Sequence, residues 1–209
     1  MDQPLSPLAL IAIWALPLIG VFLYFALRRR STTQGWSKLS EQIGLSLEPG
    51  GSPDVGPRLT GLYRGHVLVI ETIRTGGARQ SSTSTHIKFE VKRVDTSRVE
   101  LRYTSTAMSA KMRKSVTGFY RELVEIGDAE IDKHFMVNTP SAPYARRLLA
   151  RDGSVFAPVE RLFIHLPYGS LRLDGSQVDF AMALETKEDK LQSALAMVSE
   201  VAEAVEQMR

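Results

Sequence analysis

The chain has no cysteine in its 209 residues. That removes thiolate nucleophiles, Cys-based zinc sites, iron–sulfur clusters and disulfides together. It also fits a reducing compartment. Signature loops are missing as well: no G-x-S-x-G, H-E-x-x-H, G-x-x-x-x-G-K-[ST] or G-x-G-x-x-G pattern occurs. Histidine is scarce, at four residues. His86 falls on the polar side of an alternating strand, and His66 and His165 fall in apolar strands, so none is placed beside a nucleophile at recognisable spacing. An enzyme is therefore the less favoured class, and no cofactor is expected.

Charge is absent from Leu8 to Leu27, and twelve of those twenty residues are Leu, Ile, Val or Phe. At about 1.5 Å per residue such a helix spans roughly 30 Å, the thickness of a bilayer core. The start, "MDQPLSP", lacks Lys and Arg, and no small-x-small cleavage site follows, which argues against a secretory signal. Arg28, Arg29 and Arg30 flank the stretch on its C-terminal side. By the positive-inside rule they place the N-terminus outside and the rest of the chain in the cytoplasm. The expectation is a single-pass anchor over residues 1–30, spanning about 8–27, in a plasma (inner) membrane.

The remainder, 31–209, is long enough for one domain with a sizeable core, and a division into two lobes meeting near 105–120 stays open. Its charge is uneven. Residues 58–121 hold thirteen Lys/Arg against four acids, and 122–209 hold nine against fifteen. Lys111, Arg113 and Lys114 form the best basic patch, a candidate surface for anionic lipid. No nucleic-acid motif or stacking ladder accompanies it.

Hydrophobic periodicity predicts an α+β fold: a mainly antiparallel sheet with short helices and a long C-terminal helix. "QGWSKLSEQIGL" reads as a short helix with Trp36, Leu39 and Ile43 on one face and Gly44 beyond its end. "RLTGLY", "HVLVIETIR", "THIKFEVKR" and "RVELRYT" read as a four-stranded meander, with Arg64-Gly65 a tight turn and "TGGARQSSTST" a mobile loop. Further on, "RELVEI" and "HFMVN" read as strands. "SAPYARRLLARDG" and "SVFAPVERLF" read as helices capped by Ser141 and Ser154. "GSLRLDGSQVDFAM" is a hairpin turning at Asp174-Gly175, which sets Leu171 opposite Val178. The last helix starts at Lys187, with Thr186 and Asp189 at capping-box spacing. Its stripe of Leu191, Leu195, Val198, Val201, Ala202, Val205 and Met208 is expected to pack on the sheet, with a helix-mediated dimer as the alternative.

"GDAEIDKHFMV" concentrates Asp128, Glu130, Asp132 and His134 in seven residues. These are oxygen and nitrogen ligands suited to a divalent metal. On a helical turn, however, Glu130 points away from Asp128 and Asp132. The simpler reading is structural: Gly127 turns the chain, Asp128 caps a short helix, and Ile131 and Phe135 enter the core.

"GLYRGHVLVIE", "IGDAEIDKHFMV", "YARRLL" and "LRLDG", behind an N-terminal apolar helix, resemble a group of bacterial membrane-anchored proteins of unknown function. The shared signature is Gly-Asp followed by a hydrophobe-Asp pair and a Phe. The resemblance implies a bacterial, anchored protein and carries no reaction with it. Taken together, the expectation is a non-catalytic binding or scaffold module with an unidentified protein or small-ligand partner. The alternatives are a metal-dependent enzyme using Asp128, Asp132 and His134, and an anionic-lipid-binding domain.

Overall fold

The computed structural model describes residues 19–20, 34–48, 50, 56–77, 80–92, 97–103 and 123–208. A helix over 34–43 (α1) leads into β1 (Ser46–Glu48), β2 (Arg58–Tyr63), β3 (His66–Gly77), β4 (Gln80–Glu90) and β5 (Val99–Tyr103). Then follow β6 (Leu123–Val124), α2 (Ala129–His134), β7 (Phe135–Asn138), α3 (Ala142–Leu148), α4 (Phe156–His165), β8 (Ser170–Asp174), β9 (Gln177–Ala183) and α5 (Glu188–Gln207). All nine strands form one sheet in the order β1-β2-β3-β4-β9-β8-β5-β7-β6, every pair antiparallel.

Alternation along each strand separates the two faces. One transverse row, Leu47–Leu59–Ile70–Ile87–Phe180–Leu171–Leu101–Val137–Val124, crosses the entire sheet in register. Only its two edge members are partly exposed. On this face lie α1 through Trp36 and Leu39, α3 through Tyr144 and Leu148, α4 through Val159, Leu162 and Phe163, and the long stripe of α5. The Trp36 indole N–H donates to the Glu185 carbonyl at 3.2 Å, tying α1 to the approach of α5. Each fully buried apolar side chain contributes about 1.5–3 kcal/mol of transfer free energy, so this single face holds the core.

The expected fold, headed by a spanning helix, needs correction. Among the described residues no helix is long and apolar enough to cross a membrane. Of 8–27 only Ile19 and Gly20 are described, both helical and exposed; the rest of that stretch and Arg28, Arg29 and Arg30 lie outside the described residues. The longest described helix, α5, has 20 residues but carries Glu188, Asp189, Lys190, Glu200, Glu203 and Glu206, charges that a bilayer core would exclude. Its apolar stripe is spent on the sheet.

The four-stranded meander is also corrected. β5 does not return beside β4; it pairs with β8 and β7, and the β8–β9 hairpin is wedged between β4 and β5. A bulky row explains the preference: Phe180 stands between Ile87 and Leu171 and fills the centre of the core. "TGGARQSSTST" is mostly strand, since β3 and β4 pair out to Gly77 and Gln80 as a two-stranded arm beyond β2 and β9. Ladder hydrogen bonds there override the loop-like composition. The hairpin turns at Gly175-Ser176, not Asp174-Gly175, with positive φ confined to Gly175 (56°). Leu171 therefore faces Phe180 and Leu173 faces Val178, a slip of two that leaves every residue on its expected face.

The helix starts differ from expectation as well. Ser141 sits at the N-cap of α3 without a side-chain bond. Ser154 donates to the Ala204 carbonyl of α5 at 3.2 Å, joining two helices. The start of α5 is held by Glu185, whose carboxylate accepts from the Thr186 and Lys187 N–H groups.

Candidate functional site on the open sheet face

Opposite the helices, the sheet presents a face of polar and charged side chains. Lys88 Nζ lies 2.6 Å from Glu71 Oε1, and Arg58 Nε 3.7 Å from Glu71 Oε2. Arg102 donates twice to Glu100 at 2.8 and 2.9 Å, and Arg172 pairs with Asp174. Exposed pairs of this kind are worth at most about 1 kcal/mol each; their effect is to keep the face wet and its charges balanced.

Within this face stands a three-residue chain. Ser84 and His86 are two apart on β4 and so share a side; Asp179 enters from β9, where His86 lies opposite Ala181 and Lys88 opposite Asp179. Ser84 Oγ is 3.0 Å from His86 Nε2. His86 Nδ1 is 3.0 and 3.1 Å from the two Asp179 carboxylate oxygens. An ionised carboxylate only accepts, so Nδ1 carries the hydrogen and donates it. In the neutral ring Nε2 is then the acceptor, and the Ser84 hydroxyl is its donor. The Ile73 carbonyl, 3.3 Å from Ser84 Oγ, offers that hydroxyl a second acceptor. His86 and Asp179 side chains are 16% and 17% exposed, sheltered yet reachable from the face.

Ser84 is flanked by Ile73 on β3 and Ala183 on β9. The next pair along the same face, Thr75 and Ser82, joins its hydroxyls at 3.0 Å. An open hollow of about 380 Å³ begins there, lined by Thr75, Gly76, Ser81 and Ser82. A second depression, by Glu100, Arg102, Leu123, Met136 and Asn138, holds only about 10 Å³, room for one water at most.

No protein-family model and no curated protein matches the chain. The crystal structure of the mycobacterial trehalose monomycolate transport factor A, TtfA, has the same fold. The TM-score is 0.61 at 14% identity, over 86% of this chain and 97% of that one. At that identity the likeness with TtfA is one of fold.

The Gly-Asp segment takes the structural role. Gly127 turns at φ 92°, and Asp128 caps α2 by accepting from the Glu130 and Ile131 N–H groups at 2.9 and 3.2 Å. Arg151 grips the same carboxylate with two bonds of 2.6 and 2.9 Å. Asp132 reaches back to accept from the Ile126 and Gly127 N–H groups at 2.8 and 2.9 Å. The aspartate oxygens that the metal alternative would use are thus engaged by the chain itself. His134 stacks on Tyr103 with ring centroids 5.8 Å apart, and its Nε2 lies 3.8 Å from Glu130. Among the described residues no three His, Asp or Glu side chains converge on a metal position. The metal-enzyme alternative with Asp128, Asp132 and His134 loses its geometry here. Lys111, Arg113 and Lys114 lie outside the described residues.

Arg151, followed by the backbone N–H groups, holds the Asp128 carboxyl below its ordinary value of 3.8, and Asp128 raises Arg151 in turn. A depressed carboxyl stabilises the fold above its unfolded pKa, and that contribution is lost as pH falls through the folded value. Asp128→Asn is therefore expected to narrow its stability gap from the native chain below about pH 4. Urea unfolding across pH 2.5–7 checks this, and a gap that does not change with pH would refute it.

Of the remaining histidines, His66 faces Glu206 at 3.6 Å, and His165 closes α4, not a strand, with Nδ1 2.9 Å from the Arg161 carbonyl. The Ser84–His86–Asp179 chain was missed from sequence. The Ser-x-His spacing on an alternating strand was its visible half; Asp179 joins only through the β4–β9 register.

Proposed function

We propose that the chain is a lipid-related binding or transport module acting through the open face of its sheet. The fold shared with TtfA, a protein named for transport of trehalose monomycolate, carries this reading. Two features of the surface support it. Leu62 and Val67 stand opposite each other at one end of the open face, 66% and 41% exposed, an apolar pair suited to contact with acyl chains. At the other end an open hollow lies beside Thr75, Ser81 and Ser82, whose hydroxyls can meet a polar headgroup.

Flotation of the purified chain with three vesicle types tests the reading: neutral phospholipid, neutral phospholipid doped with an acylated disaccharide, and phospholipid with anionic lipid. Preferential recovery with the acylated disaccharide is expected. Preference for anionic vesicles alone would move the assignment to a charge-driven lipid surface. Equal recovery with all three would refute selective headgroup binding at this face, and no recovery would refute lipid binding altogether.

A further inference from the structure

We propose that Ser84, His86 and Asp179 form a nucleophile, a base and an orienting acid, and that Ser84 accepts an acyl group from a carboxylic ester at the open face. The proposal goes beyond lipid binding and does not depend on it. An activated serine is recognised by a nucleophile within hydrogen-bond reach of a base that a third group orients, and all three relations are present here. Ser84 Oγ to His86 Nε2 is 3.0 Å. His86 Nδ1 to Asp179 is 3.0 Å to one oxygen and 3.1 Å to the other. The carboxylate fixes the tautomer, so the lone pair of Nε2 is aimed at the hydroxyl.

The flanking residues fit the step. Ile73 and Ala183 leave Ser84 as the one polar side chain of its row across three strands. Thr75 and Ser82, whose hydroxyls lie 3.0 Å apart, form the next pair along the face on the side of Ser84 away from His86, and one of their two hydrogens stays free for a substrate oxygen. The hollow beside them is open to solvent, so an ester can approach the face from there.

In the reaction, Ser84 Oγ bonds to the ester carbonyl carbon as its proton passes to His86 Nε2. The C–O bond to the alcohol breaks, and the departing oxygen takes the proton back from Nε2. The products are acyl-Ser84 and free alcohol. Water, deprotonated by the same Nε2, then attacks the acyl carbon and releases a carboxylic acid and the serine. Asp179 remains ionised throughout as a positioning residue.

The test uses a fluorophosphonate, which leaves a phosphonyl group on an activated serine as fluoride departs, read by intact mass and peptide mapping of the full chain. One adduct is expected, on Ser84, absent from Ser84→Ala and from the protein unfolded in urea. His86→Ala should lose labelling, and added imidazole should restore it there but not to Ser84→Ala, an outcome that a purely structural histidine would not give. With p-nitrophenyl butyrate, Asp179→Asn should lower kcat by about 100-fold at unchanged KM. No adduct on the native chain, or labelling that persists unchanged in His86→Ala, would overturn the proposal. Because the probe carries no lipid, its failure is distinct from failure of the flotation experiment.

Discussion

Replacing Phe163 by alanine is expected to cost about 3–5 kcal/mol of stability, enough to lower the melting temperature by roughly 6–20 °C. Phe163 is fully buried on α4 and is the centre of an aromatic group. Its ring lies 6.2 Å from Tyr103, 5.6 Å from Phe135 and 6.1 Å from Phe180, centroid to centroid, three contacts on three different strands. Truncation removes all three and leaves a hole that the sheet, fixed by its ladder, can close only in part. Calorimetric or denaturant unfolding measures the loss; a cost under about 1 kcal/mol would mean the rings repack freely and the core is not organised around this residue.

Gly169→Ala is expected to cost about 1–3 kcal/mol from the opposite cause. A Cβ at Gly169 would fall 2.2 Å from Phe180 Cζ and 2.5 Å from Cε2, with the Ala181 carbonyl at 3.2 Å. Phe180 is fully buried and cannot turn outward. The two substitutions should therefore couple. In the Phe163→Ala background the vacated volume lets the Phe180 ring shift, so the double variant should be more stable than the sum of the single losses predicts, by about 0.5–3 kcal/mol. Additivity within about 0.3–0.5 kcal/mol would show that Phe180 does not transmit the strain.

How far the letters led differs by element, for physical reasons. "THIKFEVKR" announced its two faces because alternation is a local property, and Ile87, Phe89 and Val91 are buried as the period demands. The α5 stripe was equally plain: Leu191, Leu195, Val198, Val201, Ala202 and Val205 are all buried. Strand order was not visible, since β4 chooses β9 from about ninety residues away and no nearby residue records that choice. The arm deceived by composition. Ser and Gly favour turns on their own, but paired across six positions, from Thr72–Thr85 to Gly77–Gln80, the stretch holds a ribbon. The site was half legible. Asp128 was placed correctly as a cap because capping is local. Asp179 was invisible as a partner of His86 because their contact depends on a register between distant strands.

The wedged β8–β9 hairpin also governs the order of events during synthesis. Strands β1 to β4 leave the ribosome early and can pair with one another, but the β9-facing edge of β4 has no described partner until residues 170–183 have been made. About eighty residues separate the end of β4 from the start of β8, a delay of roughly 4–16 s at about 5–20 residues per second. For that interval the nascent chain holds out a bare strand bordered by Ile87 and Phe89, whose apolar side chains are still uncovered by the later helices. A chain truncated before Ser170 is stranded in that state, an unpaired edge open to other nascent copies.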